Sequence, residues 1–143
     1  MAGQALHDFN NGVPDNCLVL TYFQDGSITE DVELADALIA IAPFDLVVQK
    51  CTFRPETDAD GSNDAHIKAV PSATALSAAG TALTTAVDIN ASGDNTNVDF
   101  PVITTANVVP AGSAIVLDLE SATTALTHPH VTVLCTPYSP TRG

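Results

Sequence analysis

Short apolar runs separated by turn residues make up most of the hydrophobic pattern of this chain. The run Cys17–Phe23 is β-branched and aromatic and closes at the turn signal Asp25-Gly26, which is typical of a strand. Residues 26–30 are a candidate hairpin partner for it, and residues 46–54 form a second strand-like run. Further strands are predicted over residues 65–70, 82–89, 98–105, 113–120 and 129–136.

Alternation within residues 46–54 assigns side chains to the two faces of the predicted strand. Successive side chains of a strand point to opposite faces. Val48 should therefore share one face with Lys50, Thr52 and Arg54, while Cys51 shares the other with Phe53. On this pattern, we expect Val48 on the more polar face.

The pattern of residues 31–42 fits two structures. Leu34, Leu38 and Ile41 are spaced for a helix, whereas residues 37–42 also fit a strand with two apolar faces. Periodicity cannot decide between these alternatives in so short a run. We favour the strand.

The second half of the chain contains frequent turn signals. Residues 72–79 are small and Ala-rich, which fits one helical turn that stops at Gly80. Turn chemistry recurs at residues 90–95 and 109–112. Seven to nine short strands spaced in this way predict an all-β sandwich or barrel.

The first sixteen residues differ from the rest because they show no sustained periodicity. They are rich in Asn, Gly and Asp, with Leu6, Phe9 and Val13 as isolated apolar residues. Segment 1–16 is either a frayed terminus, as most termini are, or an extended N-terminal arm that contacts a neighbouring subunit through those three side chains. Residues 17–143 then form a single domain.

The charge of the chain argues against several partners. Seventeen acidic residues outnumber four Lys and Arg residues, which gives a net charge of −13. Affinity for nucleic acid comes largely from Lys and Arg, and anionic membrane surfaces attract basic segments. We therefore expect neither a nucleic-acid nor a membrane partner. Like-charge repulsion also keeps a protein dispersed at high copy number.

The cysteines indicate a reducing environment. Cys17, Cys51 and Cys135 are odd in number, widely spaced and set in apolar runs. A disulfide framework or a zinc site would require paired, closely spaced cysteines. We expect three free cysteines that act as small buried hydrophobes. The first residues also lack the basic start and apolar stretch of a signal peptide.

One acidic cluster contains residue types that bind metals. Asp58, Asp60 and Asp64 are close enough in sequence to surround Ca²⁺, which takes several oxygen ligands. The EF-hand spacing is absent, and an Asp/Gly/Asn/Ser run between two strands is typical of an exposed loop. We interpret residues 56–64 as a loop and expect no metal there.

The histidines are candidate metal ligands or catalytic residues, but the sequence does not identify the other groups that either role requires. His128 and His130 flank one residue and can share a strand face, but zinc sites need three or four ligands, and a contribution from His66 is speculative. No Gly-flanked nucleophile or phosphate-binding glycine loop is present. We interpret the pair as turn residues and expect a non-enzymatic protein without cofactors.

Several stretches of small residues, turn residues and short apolar runs together resemble the pattern of a known family. They are residues 39–45 before a strand, the small-residue segment 72–85, residues 109–113 before the run 114–119, and the closing run 131–135. Together they resemble the β-sandwich structural proteins of tailed bacteriophages, in particular capsid decoration (cement) proteins.

This resemblance implies a specific architecture and location. The fold would be a jelly-roll-like sandwich of antiparallel strands, assembled as a dimer or trimer and without catalytic residues. It would be synthesised in the host cytoplasm and would bind the major capsid protein on the outer surface of the virion. The alternative is a phage fibre, tail or adhesin-type module that binds a carbohydrate or a receptor.

Deletion of residues 2–13 should weaken attachment to capsids while the domain keeps its fold. The physical reason is that an arm that becomes ordered on assembly adds contact area outside the sandwich. The measurement is the occupancy of the variant on purified particles relative to the major capsid protein, with thermal unfolding of the free protein as control. Unchanged occupancy would identify the segment as a frayed terminus.

Overall fold

A computed structural model describes residues 17–24, 36–57, 64–89, 93–120 and 126–138. These ranges contain ten strands: β1 Leu18–Phe23, β2 Ala37–Ile41, β3 Leu46–Arg54, β4 Asp64–Val70, β5 Thr81–Ala82, β6 Val87–Asp88, β7 Val98–Phe100, β8 Val108–Val109, β9 Ala114–Leu119 and β10 His130–Pro137. The described residues form no α-helix, and none of their helical structure is long and apolar enough to cross a membrane.

The strands form two antiparallel sheets. The first has the order β1-β10-β3-β7, with β8 also paired to β3, and the second has the order β2-β9-β4-β5, with β6 also paired to β4. β5 and β6 both pair with β4 at one edge of the second sheet, and β7 and β8 both pair with β3 at one edge of the first sheet. Each of these two pairs is therefore a single interrupted strand. Counting each pair once gives eight strands with the sheet orders 1-8-3-6 and 2-7-4-5, which is the jelly-roll arrangement. The expected all-β jelly-roll sandwich is confirmed.

Two of the predicted strands are interrupted for identifiable reasons. In the range 82–89, the amides of Leu83 and Thr84 both donate to the carbonyl of Ile67, at 2.8 and 3.3 Å. Two residues therefore oppose one, as in a β-bulge, and regular pairing stops. In the range 98–105, β7 ends before Pro101, which has no amide hydrogen to donate to a ladder.

Other sequence predictions have mixed outcomes. The strand favoured over residues 37–42 is confirmed as β2. The helical turn predicted over residues 72–79 is wrong, because the amides of Thr74 and Ala78 close two successive tight turns instead. The predicted loop 56–64 ends one residue early, since β4 begins at Asp64. The candidate hairpin partner 26–30 lies outside the described residues.

A bulge in β3 overturns the expected position of Val48. Leu134 of β10 pairs with Lys50, but the next residue, Cys135, pairs with Val48. Gln49 is therefore the extra residue, and both it and Lys50 are exposed. The extra residue shifts the alternation by one position, so Val48 lies in the core on the same side as Cys51.

The core between the two sheets is mainly aliphatic. The rings of Phe53 and Phe100 are stacked within it, with centroids 6.1 Å apart. The cysteines are free, as expected, with Cys51 and Cys135 buried and Cys17 half-buried. Burial raises the pKa of Cys51 to about 12 and that of Cys135 to about 11. Both buried thiols therefore remain protonated and unreactive at neutral pH.

A second, smaller apolar cluster lies on the outer face of the second sheet. Val70 and Val116 are buried there beneath Leu76 and Ala78 from the segment 71–80. The segment returns to β4 at Gly80, which has a φ of +57°. A Cβ at this position would clash with the backbone carbonyl of Ala69. Gly80 thus allows the covering segment to lie directly on the sheet.

Substitution Gly80→Ala should destabilise the protein by about 2–4 kcal/mol, because it adds a backbone clash to the strain of a left-handed residue. The matched control is Gly112→Ala. Gly112 has a φ of +82° but open space around its Cα, so only strain of about 1–2 kcal/mol is expected. Urea unfolding of both variants measures the difference. Equal losses would show that the close approach contributes nothing.

Candidate functional site

A buried lysine lies at the centre of the outer face of the second sheet. In β4, Ile67 and Ala69 face the core, so Lys68 points outward, yet its side chain is only 1% exposed. Its Nζ donates to Asp36 Oδ1 at 2.6 Å and to Asp118 Oδ2 at 2.9 Å. Burial favours the neutral amine, but hydrogen bonds and charge from the two carboxylates outweigh it and raise the pKa of Lys68.

The chain of contacts between basic and acidic groups continues along the sheet through His66. His66 is the cross-strand neighbour of Asp118, and its Nε2 lies 3.8 Å from Asp118 Oδ2. Its Nδ1 lies 3.2 Å from Glu120 Oε1, an ion-pair distance without the alignment of a hydrogen bond. Basic and acidic groups therefore alternate from Asp36 to Glu120. We call these five side chains the lysine network.

An open depression of about 300 Å³ adjoins the lysine network, and His66, Thr84, Thr85 and Glu120 contribute to its lining. Nucleophilic catalysis would require a hydroxyl or thiol activated by the imidazole. Thr84 is buried, and its hydroxyl accepts the Ile67 amide hydrogen bond at 2.9 Å. Within the described ranges, His66 makes no hydrogen bond to a Ser, Thr or Cys side chain. These contacts support a structural ion network.

One end of the first sheet presents a row of aromatic and basic side chains. Phe23 of β1, His130 of β10 and Arg54 of β3 are cross-strand neighbours and lie on the outer face. The ring of His128 stacks on Phe23 with centroids 6.2 Å apart, and its Nδ1 contacts Glu56 Oε2. We call these five residues the histidine end.

The histidine end contains a fixed depression of about 190 Å³, lined in part by Arg54, Glu56, His128 and His130. Backbone hydrogen bonds join the surrounding loops: the Glu56 amide donates to Thr127 at 3.0 Å, and the Asn95 amide donates to Pro55 at 3.1 Å. His128 has a φ of +46°, which is uncommon for a residue with a side chain. The loops therefore hold the imidazole in place beside Phe23.

The opposite end of the sandwich carries exposed apolar side chains. They lie at or just after the end of β2, beside the start of β3 and after the end of β10: Ile41, Phe44, Val108 and Tyr138. The backbone beneath them is well held, because the Tyr138 amide donates to the Asp45 carbonyl and the Ala111 amide donates to the Asp45 carboxylate, both at 2.8 Å. We call these four residues the apolar end.

The structure separates the candidate histidine ligands, and it describes one of the three candidate aspartates. Asp58 and Asp60 lie outside the described residues, and Asp64 opens β4 opposite Asp88. His66 lies on the second sheet, whereas His128 and His130 belong to the first. In the described part of the chain, no group of three or more His, Cys, Asp or Glu residues is placed to hold a metal ion. The arm residues Leu6, Phe9 and Val13 also lie outside the described residues.

The lysine network was missed at the sequence level. Alternation in β4 assigns Lys68 to the outer face, where a lysine is normally exposed to solvent. Its partners Asp36 and Asp118 are 32 and 50 positions away in sequence. The one available signal was a single lysine between apolar residues of a strand, and that signal does not identify a partner.

Comparisons with known proteins support the fold. Neither protein-family models nor curated proteins match the sequence. Among solved structures, a chain of one titled "Cyanophage Pam1 capsid asymmetric unit" is similar, with a TM-score of 0.50, 13% sequence identity and 86% of each chain covered. At that identity the likeness establishes the fold. The chain is therefore a jelly-roll β-sandwich protein that shares its fold with a component of a cyanophage capsid structure.

Substitution Lys68→Met should destabilise the protein by about 3 kcal/mol, because it removes the cation that the partly buried carboxylates of Asp36 and Asp118 share. The control is Lys50→Met, which removes an exposed pair with Asp99 at 3.6 Å and should change stability by at most about 1 kcal/mol. Urea unfolding at neutral pH measures both variants. Losses of equal size would contradict a special role for Lys68.

The pH dependence of the same network follows from the raised pKa of Lys68. A raised lysine pKa contributes stability that is fully present below the unfolded-state value of about 10.4 and is lost as the pH rises through the folded-state value. The stability difference between the natural protein and Lys68→Met should therefore shrink in that alkaline range, as urea unfolding at a series of pH values would show.

Proposed function

We propose that this protein is a non-enzymatic structural component of a bacteriophage virion, and specifically a decoration protein on the outer surface of the major capsid shell. The observation that carries this proposal is the fold likeness to a chain of a phage capsid structure over 86% of both chains. Jelly rolls serve many functions, including those of viral capsid proteins. The likeness to a capsid component is what favours the virion among these functions.

The physical character of the surface supports this role. The chain has a net charge of −13, and two of its four basic residues, Lys50 and Lys68, are already paired with carboxylates. A protein displayed in many copies benefits from such a charge, because like-charge repulsion opposes aggregation. Attachment to the capsid shell then depends on surface patches that are less acidic than the rest of the protein.

The apolar end is the patch best suited to contact a shell. Phe44 and Tyr138 are exposed there, and aromatic side chains are enriched in protein–protein interfaces. Backbone hydrogen bonds hold these residues in the free protein, so little ordering is needed on binding. In this proposal, the apolar end lies against the major capsid protein, and the arm 1–16, with Leu6, Phe9 and Val13, adds contacts to a neighbouring subunit.

Oligomerisation is the second element of the proposal. A standard specific interface buries roughly 1,600 Å² in total, which is a large share for a chain whose described residues expose 7553 Å². A dimer or trimer multiplies the contacts that each module makes with the shell and so raises its avidity without a larger domain.

Quantitative mass spectrometry of purified particles from the source should find this protein in a fixed ratio to the major capsid protein, and at a comparable copy number. The physical reason is that a decoration protein occupies repeated sites set by the symmetry of the shell. Independent preparations serve as the control for fixed stoichiometry. A few copies per particle would instead favour a tail or fibre protein, and absence from particles would overturn the proposal.

A further inference from the structure

Of the lysine and arginine side chains that the structure describes, one has no carboxylate partner. Lys68 lies between two carboxylates, and Lys50 pairs with Asp99. Arg54, by contrast, has no carboxylate oxygen of the described chain within ion-pair distance. On a chain with 17 acidic residues, the guanidinium of Arg54 is therefore a local exception to an acidic surface.

The surroundings of Arg54 are those of a binding site. It lines the depression of about 190 Å³ together with His130, and its cross-strand neighbour His130 contacts the ring of Phe23 edge-on, at 6.2 Å between centroids. Phe23 is 58% exposed although it is a large apolar side chain. Arg54 and Phe23 thus lie on one face with His130 between them, and arginine and aromatic residues are the types enriched in interface hot spots.

Among the described residues that line the same depression, the acidic one is Glu56, and its carboxylate contacts a different side chain. The carboxylate of Glu56 contacts His128 Nδ1, so it is engaged by the imidazole and makes no ion pair with Arg54. The guanidinium can therefore donate two parallel hydrogen bonds to an external carboxylate, which is its preferred geometry.

We propose that the histidine end is a self-association site, in which Arg54 binds a carboxylate from a second copy of this chain while Phe23 packs against the same copy. Charge complementarity supports this occupant, because the copies expose many carboxylates and this patch carries the uncompensated cation. The inference rests on the oligomer named in the proposed function and gives it a site.

Sedimentation velocity of the full-length protein over a range of concentrations tests this site. The natural protein should sediment as an oligomer, and its advantage in affinity over an Arg54 variant should shrink as salt is raised, because an exposed ion pair is screened. Substitution Arg54→Gln should raise the dissociation constant about tenfold or more, as expected when one charge-assisted pair is lost. The matched control, Lys50→Gln, removes a cation from the same strand and the same face and should leave the oligomer unchanged.

A second variant separates loss of contact from loss of fold. Phe23→Ser should weaken the oligomer in the same direction, and thermal unfolding of each variant should stay close to that of the natural protein because both side chains are exposed. A monomeric natural protein, or equal effects of Arg54→Gln and Lys50→Gln, would overturn the site. An unchanged oligomer with reduced particle occupancy would also overturn it, by assigning Arg54 to another virion protein.

These outcomes are independent of the proposed function. Sedimentation measures free protein in solution, whereas the decoration role is tested by copy number on particles. If the protein is absent from particles but Arg54→Gln still dissociates it, the self-association site stands and the decoration role fails. The reverse result leaves the decoration role intact and removes the site.

Discussion

Burial of the inner faces of two sheets against each other is the constraint on which this structure depends. Along the chain, β1, β2, β3 and β4 alternate between the first and the second sheet, and β7 to β10 cross between them again. Neither sheet can therefore complete its pairing before the other is present. The core residues, such as Phe53 of the first sheet and Ile67 of the second, belong to one buried cluster, so we expect them to pack cooperatively, and such non-local pairing is intrinsically slow to form.

Local patterns were sufficient to predict the class of fold, because aliphatic and β-branched runs between turns leave little choice except strands. They were insufficient wherever a partner strand alters the register. The bulge at Gln49 reverses the position of Val48, and the double hydrogen bond to Ile67 interrupts the strand predicted at 82–89. Each event depends on hydrogen bonds to a strand that is remote in sequence, so no window along one strand contains the information.

The candidate sites were hidden for the same reason. Phe23, His130 and Arg54 are consecutive across the first sheet only because β10 pairs with both β1 and β3. The histidines were visible as a motif, but a motif read along the chain suggests a metal or a turn, whereas the structure supplies an aromatic ring and a guanidinium beside them. Chemistry that arises across strands is predictable only once the strand order is known.

The two ends of the sandwich differ in chemical character. Exposed aromatic and aliphatic side chains lie at one end, and a basic, aromatic row lies at the other, on a chain that is otherwise strongly acidic. A partner that buries apolar surface gains most at the apolar end, since hydrophobic stabilisation scales with the apolar area removed from water. A partner that carries carboxylates is attracted to the histidine end. Contacts of two different chemical kinds therefore do not compete for one surface, which is the property that the proposed shell contact and the proposed self-association together require.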